Sequence, residues 1–558
     1  MEIIVEMDVA CTLRDGTTLY ANVYRPSSVE KYPVLLTRLP YNKNLPDFPH
    51  RYIDPLRLAR SGYVIIIQDV RGRFASEGDF KPFVQEAEDG YDTVEWAAAL
   101  PYSNGRVGMF GLSYYGFTQL YAAVLQPPSL KAIFPVMTGS NLQEGLAYRG
   151  GAFELGLVET WMLDSIAADY LNRIKENHHH LETIHHDLNH IFEWHKYKPV
   201  KEWPPLWKYP SIGHLFNKLA DPEDSIHMEA DITNELKNID VSSYHIAGWY
   251  DCFLGSTLTN YQEMKKSGEV DQKLMIGPWG HGDFNAVIGD RFFGSHCSGS
   301  SLDLTGLHLN WFDRWLKGHS PETNEDKPVH IFVMGINDWR AEEEWPLKRA
   351  QYVPYYLQRP GSFSIEKGKL STKKSESIGT DSFIFDPEHP VPTQGGGTLF
   401  YQGMNMGPKD QRGVSDRDDV LVYTTEPLSN PLEVTGPIKV ELIVSSDVTH
   451  TDFTATLVDV LPDGTSYNLA DGMARLEGLR NEPTRIVIDL WATSNVFLEG
   501  HTIGLHITSS NFPRYDVNPN TGKSTFDSWE TKKAHQKVYY GPIHESCVYL
   551  PIIPNRVI

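Results

Sequence analysis

The chain has 558 residues, of which 41% are hydrophobic and 12% aromatic, and its formal net charge at pH 7 is −22. This composition is typical of a folded protein with two or three domains and excludes an intrinsically disordered chain. So large a negative charge repels phosphate backbones and argues against nucleic acid as a partner.

The cysteines and the apolar runs predict the compartment in which the protein works. Neither a basic, apolar leader nor a run of about 18 uncharged apolar residues is visible, so we expect no membrane partner. The four cysteines lack the spacing of a metal site or a redox motif and fit a reducing compartment. They are Cys11, Cys252, Cys297 and Cys547. Together these features predict a cytoplasmic protein.

Strands alternate with helices in the first part of the chain, after an antiparallel hairpin that turns at Asp15-Gly16. The strands are continuous apolar runs, as is typical of a sheet covered on both faces. We predict strands at 32–37, 63–70, 106–110 and 131–137 and helices at 55–61, 86–100 and 114–125. This pattern indicates an α/β domain with a mostly parallel sheet.

The alternation stops between residues 139 and 236, where the chain is aromatic, charged and rich in histidine, with helical spacing and no convincing strand. It resumes with predicted strands at 243–249, 273–276 and 329–334 and helices at 254–266 and 302–316. We therefore predict a catalytic domain made of residues 1–138 and 237–350. The segment between its two parts is predicted to be a helical cap over the active site.

Beyond residue 351 the helical period disappears and apolar residues alternate with period 2. Turn sequences such as Pro462-Asp463-Gly464 separate the alternating runs. We predict strands at 419–424, 438–445, 453–461 and 504–509. This pattern predicts an all-β jelly-roll domain over residues 351–558.

The sequence V-G-M-F-G-L-S-Y-Y-G at residues 107–116 places Ser113 between an apolar strand and a helix. That is the setting of a nucleophile elbow, a tight turn that exposes a serine hydroxyl above a sheet. Gly111 lets such a turn close without a side-chain clash. The usual second glycine, two residues after the serine, is Tyr115 here, and Gly116 follows it. Taken alone, the string also fits an ordinary strand-to-helix turn.

An acid and a histidine follow Ser113 in the order that an α/β-hydrolase requires, each after a later strand. The sequence G-W-Y-D-C-F places Asp251 at the end of one predicted strand, and I-G-P-W-G-H-G places His281 after the next. Imidazole can take the proton of a serine hydroxyl, and a carboxylate can fix the tautomer of that imidazole. Taken singly, Asp251 also fits a strand-end cap and His281 an ordinary loop histidine.

Together these motifs resemble the bacterial cocaine esterase (CocE/NonD) group of α/β-hydrolases, which is related to X-Pro dipeptidyl aminopeptidases and α-amino acid ester hydrolases. The resemblance covers essentially the whole chain and implies the same three parts: a catalytic domain, a helical cap and a C-terminal jelly roll. The matching segments are R-L-P-Y-N-K at 38–43, Q-D-V-R-G-R-F-A-S-E-G at 68–78, D-G-Y-D-T-V-E-W at 89–96, G-M-F-G-L-S-Y-Y-G around Ser113, G-W-Y-D at 248–251 and G-P-W-G-H at 277–281.

The resemblance implies that Ser113 is the nucleophile, His281 the base and Asp251 the orienting acid. It also implies an oxyanion hole made by the Tyr41 hydroxyl and the Tyr114 backbone N–H. The expected reaction is hydrolysis of a small-molecule acyl ester through an acyl-enzyme, without a metal or an organic cofactor. Amide hydrolysis by the same triad, as in an acylase or an X-Pro peptidase, is the alternative. A non-catalytic binding protein on a hydrolase scaffold is a third interpretation.

Aromatic residues close to the triad in sequence, or in the first part of the cap, are candidates for the wall of the substrate pocket. They are Trp161, Trp249, Tyr250, Phe253 and Trp279. Acidic residues of the cap, which could bind an ammonium group of a substrate, match no motif. They are Glu154, Glu159 and Asp164. The sequence leaves open whether copies of the chain form a homo-oligomer.

Two further groups of charged residues are predicted to be structural. Asp69, Arg71 and Arg73 follow a strand and are expected to brace the elbow through ion pairs rather than to contact substrate. The cap histidines fix no third metal ligand by their spacing, and we expect them on a solvated helix face. They are His178, His179, His180, His185, His186, His190 and His195.

Overall fold

The computed structural model describes residues 2–46, 51–173, 175, 180–266, 268, 270–319, 327–359, 367–403 and 405–554. The N-terminal strands are β1 (Ile3–Thr12), β2 (Thr18–Pro26), β3 (Tyr32–Leu39), β4 (Val64–Asp69), β5 (Ser103–Leu112) and β6 (Leu130–Val136). The helices among them are α1 (Pro55–Arg60), α2 (Glu86–Ala99) and α3 (Tyr114–Val124). The predicted hairpin and the alternation that follows it are both confirmed.

The segment between β6 and the next strand of the main sheet is mainly helical. It contains β7 (Tyr148–Arg149), β8 (Ala152–Phe153), α4 (Leu155–Trp161), a π-helical turn (Met162–Ala167), α5 (Ala168–Arg173), α6 (His180–Asn189), α7 (Ile191–Trp194), α8 (Pro204–Trp207), α9 (Pro210–Ala220) and α10 (Ile226–Glu229). The β7–β8 hairpin corrects the expectation that this segment has no strand. Strands of two residues are too short to leave an alternating pattern in a sequence.

The rest of the first domain completes the main sheet. Its elements are β9 (Ser242–Tyr250), α11 (Leu254–Lys265), β10 (Gln272–Gly280), β11 (Val287–Ile288), β12 (Arg291–Phe292), α12 (Leu304–Phe312), a π-helical turn (Asp313–Lys317), β13 (Val329–Val333) and β14 (Asp338–Glu342). The described sheet has ten strands in the order β1-β2-β4-β3-β5-β6-β9-β10-β13-β14. The strands from β4 to β13 run parallel, as predicted.

The C-terminal part is almost entirely β-structure. Its elements are β15 (Gln351–Gln358), β16 (Gly368–Ser371), β17 (Gly379–Phe385), α13 (Arg412–Ser415), β18 (Leu421–Thr424), β19 (Leu432–Ser446), β20 (Thr451–Val460), β21 (Ser466–Leu476), β22 (Thr484–Phe497), β23 (Thr502–Thr508), β24 (Ala534–Tyr540) and β25 (Cys547–Ile552). These strands pair into one described sheet of eleven strands. The predicted α/β domain followed by a β-rich domain is therefore confirmed.

The two domains share a hydrophobic core. Trp249 and Phe332 of the first domain belong to the same buried cluster as Leu457 and Leu505 of the second. Burial of apolar area on this scale stabilises the domain contact, so the β domain is packed onto the first domain rather than tethered to it. No helix in the described ranges is long and apolar enough to cross a membrane.

Candidate active site

Ser113 occupies a strained turn between strand β5 and helix α3. Its φ and ψ are 60° and −126°, a conformation that non-glycine residues adopt only where the surrounding structure enforces it. The Ser113 backbone N–H donates to the Val136 carbonyl on the adjacent strand β6, at 3.0 Å. This bond and the start of helix α3 hold the turn, so the serine stands at the carboxyl edge of the parallel sheet.

The glycines around Ser113 explain why this elbow departs from the usual spacing. A Cβ on Gly111, whose φ is 154°, would lie 2.4 Å from the Tyr115 carbonyl oxygen, so only glycine fits at this position, two residues before the serine. A Cβ on Gly116 would lie 2.5 Å from the Thr138 side chain. Helix α3 therefore approaches the chain after β6 most closely at position 116, where glycine is needed. Position 115 can hold a buried tyrosine instead.

Asp251 and His281 meet at the same edge of the sheet because their strands are neighbours. β9 and β10 pair in parallel, and each ends directly before one of the two residues. His281 Nδ1 lies 2.7 Å from Asp251 Oδ1, and the residues are only 5% and 1% exposed. A buried carboxylate bonded at Nδ1 keeps that proton in place and leaves the Nε2 lone pair available to accept a proton.

Ser113 and His281 line one cavity of about 440 Å³, which opens toward solvent. Tyr41 and Tyr114, the predicted oxyanion-hole residues, line it too. Much of the remaining wall is apolar or aromatic, with contributions from both domains. It includes Phe83, Leu112, Phe117, Leu146, Leu157, Trp161, Phe253, Leu399, Phe400 and Met406. The cavity therefore suits a small organic molecule with an apolar part.

The Tyr41 side chain is held by a hydrogen bond from the segment 139–236. The Trp161 indole N–H donates to the Tyr41 hydroxyl oxygen at 3.1 Å, and this contact lets the hydroxyl use its own proton for donation. Burial raises the pKa of Tyr41 to about 12, so the group keeps its proton in neutral solution. Trp161, predicted as a pocket wall, thus contacts both the cavity and the tyrosine.

Tyr114 presents its backbone N–H at the start of helix α3. As the first helical residue it has no partner for this N–H within the helix, and the helix dipole adds partial positive charge there. Its side chain has structural hydrogen bonds instead: the hydroxyl donates to Glu86 at 2.9 Å and accepts from the Phe83 N–H. This anchoring fixes the N-terminal turn of the helix.

Replacing Tyr41 by phenylalanine keeps the ring and removes the hydroxyl. We expect kcat for p-nitrophenyl butyrate to fall by about 10²- to 10³-fold with little change in KM, because an oxyanion donor acts mainly in the transition state. Tyr121→Phe is the matched control, since its hydroxyl donates to the Ala230 carbonyl, away from the cavity. Steady-state kinetics of both variants check this prediction, and equal losses would contradict it.

Asp69 and Arg73 brace the turn that carries Tyr41. Asp69 accepts from the Lys43 backbone N–H at 2.8 Å and pairs with its ammonium at 3.0 Å. The buried Arg73 donates to the Pro40 carbonyl at 2.9 Å and, in the segment 139–236, to the Ser165 and Ile166 carbonyls. A structural role was predicted for both residues, and the contacts show that they hold the Tyr41 segment.

A second ion-pair network lies behind the elbow. Arg71 forms a bidentate pair with Asp89, at 2.9 and 2.6 Å, and also pairs with Asp15. Arg38 pairs with Glu86 at 2.8 Å, and Glu86 in turn accepts the Tyr114 hydroxyl. Arg71 therefore joins the N-terminal hairpin to helix α2, which is a bracing role. Its connection to the elbow is indirect and runs through helix α2.

Three of the five aromatic pocket candidates lie outside the cavity, whereas Trp161 and Phe253 line it. Trp249 donates to the Phe332 carbonyl, Trp279 to the Cys297 carbonyl and Tyr250 to the Asn468 carbonyl. They lie in strands β9 and β10, whose side chains are covered by the elements packed on the sheet. Proximity to the triad in sequence is thus a poor guide to the pocket wall.

The acidic candidates of the cap separate in the same way. Asp164 lines the cavity. Glu154 is buried beside Arg514 of the β domain, at 3.5 Å. Glu159 is bonded to His195 in the interior of the segment 139–236, where burial raises the pKa of Glu159 and lowers that of His195 to about 3. The contact joins two buried polar groups that face no other described ionisable partner in this interior and is a structural feature of the segment.

The histidines of this segment do not all lie on one solvated helix face. His185, His186 and His190 are exposed, as predicted, and the rings of the last two lie 4.4 Å apart. His195 is buried, which corrects the prediction for this residue, because it follows helix α7 and packs near Phe400. His178 and His179 lie outside the described residues.

Within the part of the chain that the structure describes, one group of three side chains is close enough to share a metal ion. Its members are Asp251, Cys252 and His281, with ligand atoms within 4.8 Å of one another. Burial raises the pKa of the Cys252 thiol well above its usual value, and a protonated thiol is a poor ligand. Because His281 is already bonded to Asp251, the group fits proton transfer better than metal binding.

The structure adds wall residues that the sequence analysis missed. Arg51 and Phe83 precede the elbow, while Phe400 and Met406 come from a loop of the β domain more than 280 residues after Ser113. None of them belongs to a catalytic motif. Of these four residues only Arg51 carries a charge, and that charge is the one signal in hindsight.

Comparisons with known proteins match both domains. The sequence model of the X-Pro dipeptidyl-peptidase (S15 family) matches residues 15–283, and that of the X-Pro dipeptidyl-peptidase C-terminal non-catalytic domain matches residues 322–549. The chain is 38% identical to cocaine esterase of Rhodococcus sp. (strain MB1 Bresler), over 98% of both chains.

Solved structures resemble the chain over nearly its full length. An aminopeptidase from the marine sediment archaeon Thaumarchaeota archaeon has a TM-score of 0.82 and 25% identity, and the match covers 99% of this chain and 96% of that one. An α-amino acid ester hydrolase has a TM-score of 0.81 and 24% identity with the same coverage. At such low identity, the second likeness shows the fold alone.

Proposed function

Since the chain belongs to the family of cocaine esterase and is a serine hydrolase of carboxylic esters, we propose that Ser113 is its nucleophile, His281 its general base and Asp251 the orienting acid. The contact that carries this proposal is the 2.7 Å bond between Asp251 and His281, in a cavity that Ser113 also lines. The strained backbone of Ser113 supports it, because such strain accompanies catalytic turns.

In the proposed reaction, Ser113 Oγ attacks the ester carbonyl carbon while His281 Nε2 takes its proton. The negative charge that develops on the carbonyl oxygen accepts hydrogen bonds from the Tyr41 hydroxyl and the Tyr114 N–H. The tetrahedral intermediate then expels the alcohol, which receives the proton from His281. Water, activated by His281 in the same way, attacks the acyl-enzyme and releases the carboxylic acid, which restores Ser113.

The two neighbouring parts of the chain complete the cavity in this proposal. Leu157 and Thr160 of the segment 139–236 line one side, and Phe400 and Met406 of the segment 351–558 line another. We therefore treat the first as a cap and the second as a closing β domain. Together they exclude water from most of the acyl group, which strengthens hydrogen bonds to the oxyanion.

Amide hydrolysis is the second candidate, because the matched family descriptions name X-Pro dipeptidyl-peptidases and one similar structure is an aminopeptidase. We favour esters, since an alkoxide or phenoxide leaves more readily than an amine and a curated relative that is 38% identical over 98% of the chain is a cocaine esterase. The location we propose is the cytoplasm, where the four buried, free cysteines stay reduced.

The choice between esters and amides is tested with matched p-nitrophenyl esters and p-nitroanilides of the same acyl or X-Pro group. We expect kcat/KM for the esters to exceed that for the anilides by at least about tenfold. A larger value for X-Pro anilides would move the enzyme to the peptidase side. Labelling by a fluorophosphonate, located by peptide mass spectrometry, tests Ser113 independently.

A further inference from the structure

A second cavity of about 390 Å³ adjoins the active-site cavity. The two share four lining residues: Arg51, Gly282, Asp283 and Asn285. Gly282 directly follows His281, so the second cavity begins beside the proposed general base. In ester hydrolysis that base returns its proton to the leaving oxygen, and the alcohol part of the substrate therefore lies on this side.

Arg51 stands where the two cavities meet. Its guanidinium carbon would lie 3.1 Å from a Cβ built on Gly282, so the charged group packs directly against the backbone beside His281. Its positive charge also acts across the active-site cavity, where it lowers the pKa of Tyr41 and of Asp164 against the larger effect of burial. The guanidinium is therefore close to the reacting groups.

Arg51 differs from the carboxylates of the second cavity in having no hydrogen-bond or ion-pair partner in the part of the chain that the structure describes. Among the described residues its guanidinium makes no hydrogen bond or ion pair. Asp54 caps helix α1, Asp303 caps helix α12 and pairs with Arg57, and Asp283 accepts from Asn285. Asp164 faces the same cavity as Arg51 but forms no ion pair with it. The unmatched cation at the junction is thus a binding group for an anion.

We propose that Arg51 binds an anionic group, such as a carboxylate, on the alcohol part of the ester. This inference rests on the proposed function and adds a substrate class to it: esters whose leaving alcohol carries a negative charge and extends into the second cavity. A carboxylate bound by the guanidinium forms two charge-assisted hydrogen bonds, the geometry in which arginine binds most specifically. The apolar wall around Trp161 then receives the acyl group.

The test compares 4-acetoxybenzoate with its neutral methyl ester in the wild-type enzyme and in Arg51→Gln. We expect the substitution to lower kcat/KM for the anionic ester by about tenfold and to change that for the neutral ester less than about twofold. Dividing wild type by variant for each substrate cancels the difference in acidity between the two phenols. The loss should shrink as salt is added, because partly exposed charges are screened.

Two further measurements separate this proposal from its rivals. Inhibition by 4-hydroxybenzoate should weaken by a similar factor in Arg51→Gln, and Asp164→Asn should leave or raise the preference for the anionic ester. Equal losses on both esters would assign Arg51 a general catalytic role and overturn the proposal, as would no loss on either. A loss confined to an anionic acyl group, as in mono-p-nitrophenyl glutarate, would overturn the alcohol-side assignment. Turnover of the neutral ester reports the proposed function separately.

Discussion

Ser113→Ala is expected to lower kcat for p-nitrophenyl butyrate by about 10⁵-fold or more. Without Oγ no acyl-enzyme forms, and the remaining rate comes only from binding and the oxyanion hole. The fold should persist, because alanine retains the Cβ and the backbone bond from Ser113 N–H to the Val136 carbonyl is unaffected.

A control variant and a check of folding accompany the Ser113→Ala measurement. Ser165→Ala removes another hydroxyl from the same cavity wall and should change kcat only a few-fold. Circular dichroism and Tm should match the wild type in both variants. A purified Ser113→Ala protein that keeps more than about 1% of wild-type kcat, or that still reacts with a fluorophosphonate at this turn, would show that another group is the nucleophile.

Asp251→Asn is expected to lower kcat by about 10⁴-fold while leaving the structure intact. The amide has the same shape as the carboxylate, but its NH₂ group donates to His281 Nδ1 and forces the ring proton onto Nε2. His281 then has no lone pair facing Ser113 and cannot act as the base. The carboxylate also stabilises the imidazolium, and a neutral amide does not.

The control for this substitution is Asp283→Asn, which removes a carboxylate from the same cavity. The Asp283 side chain accepts from Asn285 rather than from His281, so we expect a change of no more than a few-fold. Rates measured from pH 5 to pH 9 at saturating substrate test both variants. An Asp251→Asn enzyme within tenfold of the wild type would assign the orienting role to a different acid.

The strand ends that carry Ser113, Asp251 and His281 were predictable because buried parallel strands leave continuous apolar runs. A motif at the end of such a run lies at the carboxyl edge of the sheet, because all the parallel strands end at that edge. The approximate bounds of β3 to β6 and of helices α1 to α3 followed from the same patterns. The β7–β8 hairpin and the π-helical turns have no such pattern and could not be predicted.

The wall of the cavity was much less predictable than its catalytic edge. Trp279 is two residues from His281, yet its ring is fully buried against Cys297 and Phe284 because its strand is covered on that face. Phe400 reaches the cavity from the other domain through a loop, and no local period encodes such a contact. Wall positions depend on long-range packing, whereas the edge of a sheet depends on local pattern.

The contribution of Phe400 and Met406 to the cavity has a consequence for how the enzyme is made. During synthesis from the N-terminus, Ser113, Asp251 and His281 all leave the ribosome before these two residues are translated. A nascent chain therefore carries all three proposed catalytic residues before it has a closed pocket. The fully walled cavity arises only once the β domain has folded, so premature termination after residue 350 leaves a polypeptide with the proposed triad but without an enclosed cavity for substrate.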